Sequence, residues 1–205
     1  CMLAFSSLLG NVEGQNIYRI WYDKPASYWE EALPVGNGRI AAMVFGDPQL
    51  EQIQLNEETV SAGSPYQNYN EEAKTALPEM RRLIFEGKYE EAQNMAATKI
   101  LSQVGNEMPY QTVGRLNIRY QDHKKVNNYY RDLDISNAVA VTRYEVDGVE
   151  FTEETFASFT DQLVIRHIKA SKPGTINCEL FFNTPMRDPK RSIYGKKGLR
   201  LEGIT

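Results

Sequence analysis

The pattern of apolar and polar residues along this chain is mainly that of β-strands. In "IAAMVF" (residues 40–45) apolar residues occupy both alternating sets of positions, which predicts a strand covered on both faces. "LEQIQL" (residues 50–55) instead alternates, with Ile53 and Leu55 on one face and two glutamines on the other, as in a half-exposed antiparallel strand. The intervening Gly46-Asp47-Pro48 predicts a turn.

Further strand patterns follow in the second half of the chain. Asp147-Gly148 joins two alternating segments and predicts a hairpin with a type I′ turn. Lys172-Pro173-Gly174 separates "QLVIRHIKAS" from "TINCELFFN", and the basic "DPKRSIYGKKG" (residues 188–198) predicts an exposed loop. Short strands joined by turns favour an antiparallel β-sandwich over βαβ units, which need a crossover helix. The predicted fold class is therefore mainly β.

One segment, around residues 71–102, changes its apolar period from two to 3.6. Asn70 is placed to cap a first turn, Pro78 to begin the main helix and Gly87 to end it. A second helical pattern begins at Tyr89. The prediction is a helical pair inserted between strands, which either forms a lid or docking surface or simply covers the sheet.

The ends of the chain carry the signals on cellular location. "CMLAFSSLLG" is apolar and "NVEGQN" is polar, so residues 1–16 are interpreted as a signal-peptide remnant or N-terminal extension, with an ordinary strand or helix as the alternative. The expected location is periplasmic or extracellular. Cys1 could carry a lipid anchor or pair with Cys178, which otherwise fits a small buried side chain. No later apolar run has the length of a membrane span.

Composition narrows the function classes. The 205 residues, with 41% hydrophobic residues and a net charge of −4, fit one large domain over residues 17–205. Basic residues are dispersed, which disfavours nucleic acid as a partner. His123 and His167 lack further ligands at metal-binding spacing, so no metal site and no cofactor is predicted. Trp29 and Tyr66 are candidates for stacking on sugars, although aromatic rings more often pack in a core.

Two polar segments lie next to predicted strands, one before the strand over residues 40–45 and one after the strand over residues 50–55. The turn Gly36-Asn37-Gly38 precedes Arg39, whose guanidinium can hold a carboxylate or sugar hydroxyls. Asn56 and Glu57 follow the next strand and supply hydrogen-bonding side chains. If the turn and the strand end lie together, these residues form a polar rim of a substrate site or a domain interface; otherwise they are a plain hairpin and an exposed strand end.

A resemblance adds what these patterns alone cannot. Several segments, in order, resemble the amino-terminal domain of glycoside hydrolase family 95, the α-L-fucosidases: "IWYDKPASYWEEALPVGNGR", "FGDPQLEQIQLNEETV", "AGSPYQNYN", "ALPEMRRLIFEGKYEEAQ", "PYQTVGRLNIRY" and "YRDLDISNAVAVTRYEVDGVEFTEETFASFTDQLVIRH". The resemblance runs from about Ile17 to the end of the chain. It implies a β-supersandwich with an inserted helical pair, followed in the family by a linker and an (α/α)₆ barrel.

The same resemblance implies that catalysis takes place in the barrel and not in the amino-terminal domain. Family members hydrolyse terminal α-L-fucosyl linkages with inversion, using a glutamic acid and an activated water, and these catalytic residues belong to the barrel. No catalytic residue is therefore carried over onto this sequence, and the chain by itself is expected to be inactive. The expected substrate of the longer enzyme is a fucosylated oligosaccharide.

The resemblance also implies that the sandwich is incomplete at its C-terminus, which leaves sheet edges able to self-associate. An alternative to the fucosidase function is a stand-alone β-sandwich that binds carbohydrate or serves as a scaffold, without enzymatic activity.

Overall fold

The computed structural model describes residues 18–61, 67–102 and 108–204. The interpretation of residues 1–16, including Cys1, and the prediction for Tyr66 fall outside this part. The chain divides into two compact units, the residues up to Val60 together with Thr112–Ile204, and Ser61–Gln111. Within the described ranges, no helix has both the length and the apolar character needed to cross a membrane.

The larger unit is built from antiparallel β-strands. Their bounds are β1 Arg19–Tyr22, β2 Leu33–Gly36, β3 Ile40–Val44, β4 Leu50–Glu57, β5 Gly114–Tyr120, β6 Asn127–Asp134, β7 Val139–Val146, β8 Val149–Ser158, β9 Leu163–Ala170, β10 Cys178–Asn183, β11 Arg187–Tyr194 and β12 Gly198–Ile204. Sheet 1 has the order β1-β6-β7-β8-β9 and sheet 2 the order β10-β5-β4-β3-β2, while β11 and β12 form a separate hairpin. The predicted mainly β, antiparallel sandwich is confirmed.

The two five-stranded sheets share one apolar core. Its buried members are Leu33, Val35, Ala42, Val44, Ile53, Ile118, Tyr120, Leu133 and Ala140. Each fully buried large aliphatic side chain stabilises the fold by about 1.5–3 kcal/mol. The prediction that β3 is covered on both faces is wrong, because Ala42 and Val44 are buried but Ala41 is exposed. Small and flexible apolar side chains on its outer face gave β3 the composition of a central strand.

Turn chemistry sets the strand connections. Asp147 and Gly148 have φ angles of 49° and 76°, as a type I′ turn requires. Gly46 begins the turn after β3 with a φ of 74°. A Cβ atom at Gly46 would lie 2.8 Å from the Tyr129 hydroxyl oxygen, so glycine is needed there for space as well as for conformation.

The basic segment near the C-terminus is a hairpin, and the prediction of a loop is wrong. Every residue of β11 is exposed, so the strand buries no apolar face that would give its sequence a clear alternation. The register shifts between Arg187 and Lys190, which further obscures the pattern. Arg191 Nε donates to the Phe182 carbonyl at 2.9 Å and thereby ties the hairpin to β10.

The smaller unit contains the predicted helical pair, and its bounds are α1 Ala73–Phe85 and α2 Tyr89–Met95, followed by a π-helical turn over Ala96–Ile100. Asn70 Oδ1 accepts from the Glu72 backbone N–H at 3.0 Å, and Gly87, with a φ of 76°, follows the end of α1. Pro78 lies inside α1 rather than at its start, because the first turn runs on without a break into the main helix.

Candidate functional site

The β2–β3 turn is held by the side chain of Asn37. Its Oδ1 accepts from the backbone N–H groups of Arg39 at 3.1 Å and Ile40 at 2.9 Å. Its Nδ2 donates to the Ser158 carbonyl at 2.8 Å, which links the turn to the end of β8. Gly38 has a φ of 93°, in the region that favours glycine. The Asn37 amide is therefore used within the fold to fix the turn.

Arg39 and Glu57 form an ion pair beside this turn. Arg39 Nε lies 3.0 Å from Glu57 Oε1, while the Thr59 backbone N–H and hydroxyl donate to Glu57 Oε2 at 2.9 Å and 2.6 Å. These contacts, with the Thr59 hydroxyl the largest cause, lower the pKa of Glu57 below its ordinary value. Glu57 is therefore an ionised hydrogen-bond acceptor near neutral pH and is unsuited to donate a proton.

Asn56 and Glu57 line a pocket of about 400 Å³ between the two sheets. Its size lies in the lower part of the range for small-molecule sites, about 300–1,000 Å³. Most of its lining is apolar, comprising Ile40, Ala41, Ile53, Leu55, Val113, Leu116, Leu163, Val164 and Phe182. Gln162 and Arg166 are the other polar residues in the lining. The structure thus brings Asn56 and Glu57 to one pocket and attaches Arg39 to Glu57, whereas Asn37 supports the turn.

Three residues of the pocket lining each have one buried polar atom that lacks a hydrogen-bond partner among the described residues. These atoms are Asn56 Oδ1, Gln162 Oε1 and Arg166 Nε. A buried polar atom left unpaired costs about 1–3 kcal/mol. Each of the three atoms is closed to solvent, so these groups are unsatisfied within the described residues.

The structure describes one of the two candidate stacking rings. Trp29 begins a short 3₁₀ turn and is 50% exposed, and Tyr66 lies outside the described residues. Trp21 is 60% exposed and stacks on Tyr130 of the neighbouring strand, with ring centroids 6.2 Å apart. Trp21 therefore presents an exposed ring that is held by a second, half-buried aromatic ring.

A buried charged cluster was missed by the sequence analysis. Arg166 Nη2 contacts Glu51 Oε2 at 2.6 Å and also binds Glu153 Oε2, while Nη1 donates to the Thr155 hydroxyl at 2.7 Å. Only 8% of the Arg166 side chain is exposed, and the two glutamate side chains are 0% and 1% exposed. Because Glu51 belongs to sheet 2 and the other members to sheet 1, the cluster joins the two sheets.

Two tyrosines and a histidine extend this cluster. The hydroxyls of Tyr120 and Tyr144 both donate to Glu153 Oε1, at 2.7 Å and 2.6 Å. Burial raises the pKa of both tyrosines, so they remain protonated donors. His123, which the sequence places in a polar loop, is buried and stacks on Tyr120 with centroids 4.4 Å apart. Burial lowers the pKa of His123, which favours its neutral form.

The Glu51 and Glu153 carboxylates are a structural pair. Glycoside hydrolysis needs two carboxyl groups that reach the substrate and leave room for a water or a covalent bond. Here both carboxylates are enclosed, and Glu51 Oε1 additionally accepts from the backbone N–H groups of Gly46 at 2.8 Å and Gln52 at 3.0 Å. Because both carboxylates bind protein groups, we interpret the cluster as a structural contact that holds the two sheets together.

Comparison with known proteins supports the resemblance to a glycoside hydrolase N-terminal domain along most of the chain. The sequence profile of the family described as "Glycosyl hydrolase family 65, N-terminal domain" matches residues 20–205. The chain is similar to "Alpha-L-fucosidase 2" of Arabidopsis thaliana, with 37% identity over 181 residues that cover 85% of this chain and 21% of the relative.

Two fungal proteins are also similar. "Probable alpha-fucosidase A" of Aspergillus niger is 26% identical over 162 residues, covering 74% of this chain and 20% of that protein. The protein of the same name in Aspergillus oryzae is 25% identical over 174 residues, covering 80% and 23%. The chain thus spans about a fifth of the length of the curated relatives it matches. The expected resemblance to an amino-terminal glycosidase domain is confirmed, and this chain belongs to the glycosyl hydrolase family 65 N-terminal domain family, with relatives named as α-fucosidases.

Proposed function

We propose that this chain is the non-catalytic N-terminal domain of an exported α-L-fucosidase, which hydrolyses terminal α-L-fucosyl linkages of fucosylated oligosaccharides with inversion. Hydrolysis takes place in an (α/α)₆ barrel of the longer enzyme. The observation that carries the proposal is the 37% identity to an α-L-fucosidase over 85% of the chain, within a match to an N-terminal domain family.

The electrostatics of the polar residues support a non-catalytic role. An inverting glycosidase needs a protonated carboxylic acid and a second carboxylate that activates water. Glu57 is the only carboxylate in the pocket lining that the structure describes, and its lowered pKa disfavours the protonated state. The Glu51 and Glu153 carboxylates are enclosed.

In this proposal the rim formed by Asn37, Arg39, Asn56 and Glu57 supports the interface with the barrel. Arg39 is 59% exposed while Glu57 is only 18% exposed, so the guanidinium can bind a further acceptor while its partner stays in place. Asn37 fixes the backbone from which Arg39 projects.

The test is a hydrolysis assay with an oligosaccharide that carries terminal α-L-fucose. The full-length parent enzyme is expected to release fucose, first as the β-anomer in proton NMR, because inversion converts an α-linkage into a β-hemiacetal. The 205-residue chain is expected to release none. Fucose release by the 205-residue chain, or first appearance of the α-anomer with the parent enzyme, would contradict the proposal.

A matched pair of variants separates a rim role from catalysis. Glu57→Gln in the parent enzyme removes the charge that Arg39 binds and should leave kcat within about tenfold of the unaltered enzyme, since loss of a catalytic carboxyl typically costs ~100-fold or more. Glu179→Gln is the control because it also removes a carboxylate from an ion pair with an arginine, here Arg119, at a residue outside the pocket lining.

Carbohydrate binding by the chain is a second candidate function, favoured by the exposed Trp21, which stacks on the half-buried Tyr130. Titration calorimetry of the 205-residue chain with the same oligosaccharide would test it. Trp21→Ala should remove the binding heat and Trp29→Ala should not. Flat traces with the unaltered chain at millimolar oligosaccharide would contradict this function.

A further inference from the structure

A second pocket, of about 500 Å³, lies at the end of the sandwich that carries the β7–β8 turn. This loop pocket is lined by residues of three segments, 122–123, 146–151 and 174–177. The first segment follows β5 and the last precedes β10. None of the lining residues belongs to the pocket between the sheets. Loops carried by a rigid scaffold often hold binding residues, which makes the loop pocket a candidate site of its own.

His123 is fixed in the wall of the loop pocket with a defined tautomer. Its Nδ1 lies 3.0 Å from the Pro48 carbonyl oxygen and 3.3 Å from the Tyr144 hydroxyl oxygen. A carbonyl oxygen only accepts, and the Tyr144 hydroxyl already donates to Glu153, so Nδ1 carries the ring proton and donates to both. Burial lowers the pKa of His123, so the ring is neutral near neutral pH and Nε2 keeps a free lone pair.

The edge of the ring that bears Nε2 faces the loop pocket. Pro48 and Tyr144, which hold Nδ1, are outside the lining, whereas Phe151, which the imidazole contacts with ring centroids 4.4 Å apart, is within it. His123 is only 4% exposed, and Nε2 has no hydrogen-bond partner among the described residues. Unlike the unpaired atoms of the other pocket, Nε2 is not closed to solvent. Such an acceptor takes a donor from water or from a ligand.

The charged groups of the loop pocket are two carboxylates, Asp122 and Asp147. Its lining contains no lysine or arginine, and neither carboxylate has an ion-pair partner in the part of the chain that the structure describes. Asp122 lies close enough to His123 for its charge to act on the imidazole. The pocket therefore combines negative charge with a neutral nitrogen acceptor, a combination that favours a cationic donor.

The side-chain donors of the described lining are already used. The Thr175 hydroxyl donates to the Lys172 carbonyl at 2.7 Å, and Asn177 Nδ2 donates to Asp122 Oδ2 at 3.4 Å. An anionic or purely accepting ligand would thus find few side-chain partners. A metal ion is no better match, because the described residues contain no group of three or more His, Cys, Asp or Glu side chains that could hold one.

Apolar walls complete the loop pocket. Val146 and Phe151 are buried, Val149 is half-buried, and Ile176 is 44% exposed at the mouth. These side chains suit an aliphatic chain, since apolar contact removes its surface from water. The lining as a whole fits a ligand that has a cationic N–H donor at one end and an alkyl chain behind it.

We propose that the loop pocket binds a primary alkylammonium group, which donates to His123 Nε2 between the Asp122 and Asp147 carboxylates, with its alkyl chain against Val149 and Ile176. The proton stays on the ligand, because an alkylamine such as that of lysine has an ordinary pKa of about 10.4 and an imidazole one of about 6.5. No covalent bond forms or breaks. The site goes beyond the proposed hydrolysis and does not depend on it.

Nitrogen NMR of the chain labelled with ¹⁵N-histidine tests this site. The chain has two histidines, and His167, whose side chain is 52% exposed and outside the lining, is the internal control. Titration with n-butylammonium chloride should move the His123 Nε2 resonance upfield, as a hydrogen bond forms on its lone pair. The shift should saturate with a dissociation constant on the order of 1–10 mM, as expected for so small a ligand, and His167 should not follow it.

Two neutral probes separate charge from hydrogen bonding. n-Butanol has the same alkyl chain and a donor but no charge, so it should bind at least ~5-fold more weakly. L-Fucose should behave like butanol. The proposal is overturned if butylammonium gives no saturating shift of His123, or if butanol or fucose binds as tightly as butylammonium.

Substitutions in the lining test the two carboxylates. Asp122→Asn and Asp147→Asn each keep the side-chain shape, and asparagine suits the type I′ turn at 147. Each should raise the dissociation constant of butylammonium about two- to fivefold, the contribution of an exposed ion pair. Glu150→Gln is the matched control, because it removes an exposed carboxylate of the same hairpin outside the lining. Unchanged affinity in the double variant, with the His123 resonance of the free protein in its place, would refute the assigned role of the carboxylates.

A free amine and a lysine side chain of a polypeptide share this chemistry. Nα-acetyl-lysine N-methylamide carries the same ammonium and alkyl chain on a peptide backbone. If it binds at least as tightly as butylammonium, the site accepts lysine side chains; if only butylammonium binds, the site is one for free amines. Either result supports the alkylammonium site, and binding of neither probe overturns it.

Discussion

Substitution of Arg166 is the sharpest test of the buried charged cluster. Arg166→Met keeps most of the side-chain volume but removes the guanidinium that contacts both Glu51 and Glu153. Both carboxylates remain enclosed, at 0% and 1% side-chain exposure. Removing one partner of a buried ion pair costs about 3–5 kcal/mol, because the remaining charge has no compensation. That loss is a large share of the ~5–15 kcal/mol by which a domain is stable.

Urea unfolding followed by tryptophan fluorescence measures this loss. With a slope of about 2 kcal/mol per molar urea, the unfolding midpoint of Arg166→Met should fall by about 2 M. Arg119→Met is the control, because Arg119 and its partner Glu179 are 51% and 53% exposed and such pairs contribute about 0–1 kcal/mol.

A triple variant separates buried charge from lost packing. Glu51→Gln and Glu153→Gln combined with Arg166→Met removes all three charges and should recover most of the stability, since neutral replacement of a buried ionic cluster is often tolerated. The reasoning would be refuted if Arg166→Met unfolded within ~1 kcal/mol of the control. It would also fail if the triple variant were no more stable than the single one.

Three further predictions concern backbone conformation and titration. Gly46→Ala should destabilise the protein by at least ~1 kcal/mol more than Gly87→Ala, because both glycines have positive φ but only a Cβ atom at Gly46 would lie against other atoms. Equal decreases in the free energy of unfolding, measured in urea, would contradict this prediction. Thr59→Ala should raise the pKa of Glu57 towards 4.5 in a ¹³C NMR titration, and an unchanged titration would refute the stated cause. The Thr59 contact stabilises the protein above the ordinary carboxyl pKa, and this stabilisation is lost as pH falls through the lowered pKa. The variant should therefore lose less stability than the unaltered chain over that pH range. Because burial lowers the pKa of His123, the stability that its neutral form contributes should be complete above pH 6.5 and decline as pH falls through the lowered pKa. In His123→Gln the urea midpoint should therefore fall less between about pH 7 and 5 than in the unaltered chain.

The local elements were predictable because their determinants lie within a few residues. The type I′ turn at Asp147-Gly148 and the helix end at Gly87 follow from backbone conformations that these residues tolerate. The predicted alternation of β4 places Ile53 in the core. The β11–β12 hairpin escaped prediction because an exposed strand has no buried face to impose a periodic pattern.

For the charged cluster, the strand patterns predict which charged residues point inward but not which of them pair with each other. Glu51 shares its face of β4 with Ile53, and Arg166 shares its face of β9 with Val164, so alternation already assigns both charges to inward positions. The sequence gives no reason to pair them, because they are 115 positions apart. A buried charge is stable only when its partner is present, and that partner is supplied by the opposite sheet.

The sequence by itself determined the fold class, the helical pair, half of the twelve described strands and the turns between them, and the family, because each depends on local periodicity, on turn residues or on ordered segments of similarity. The tertiary structure alone decided that Asn37 fixes the turn and that Asn56 and Glu57 reach the same pocket. These relations depend on strand order, register and the packing of two sheets, which arise from contacts between residues far apart in the chain.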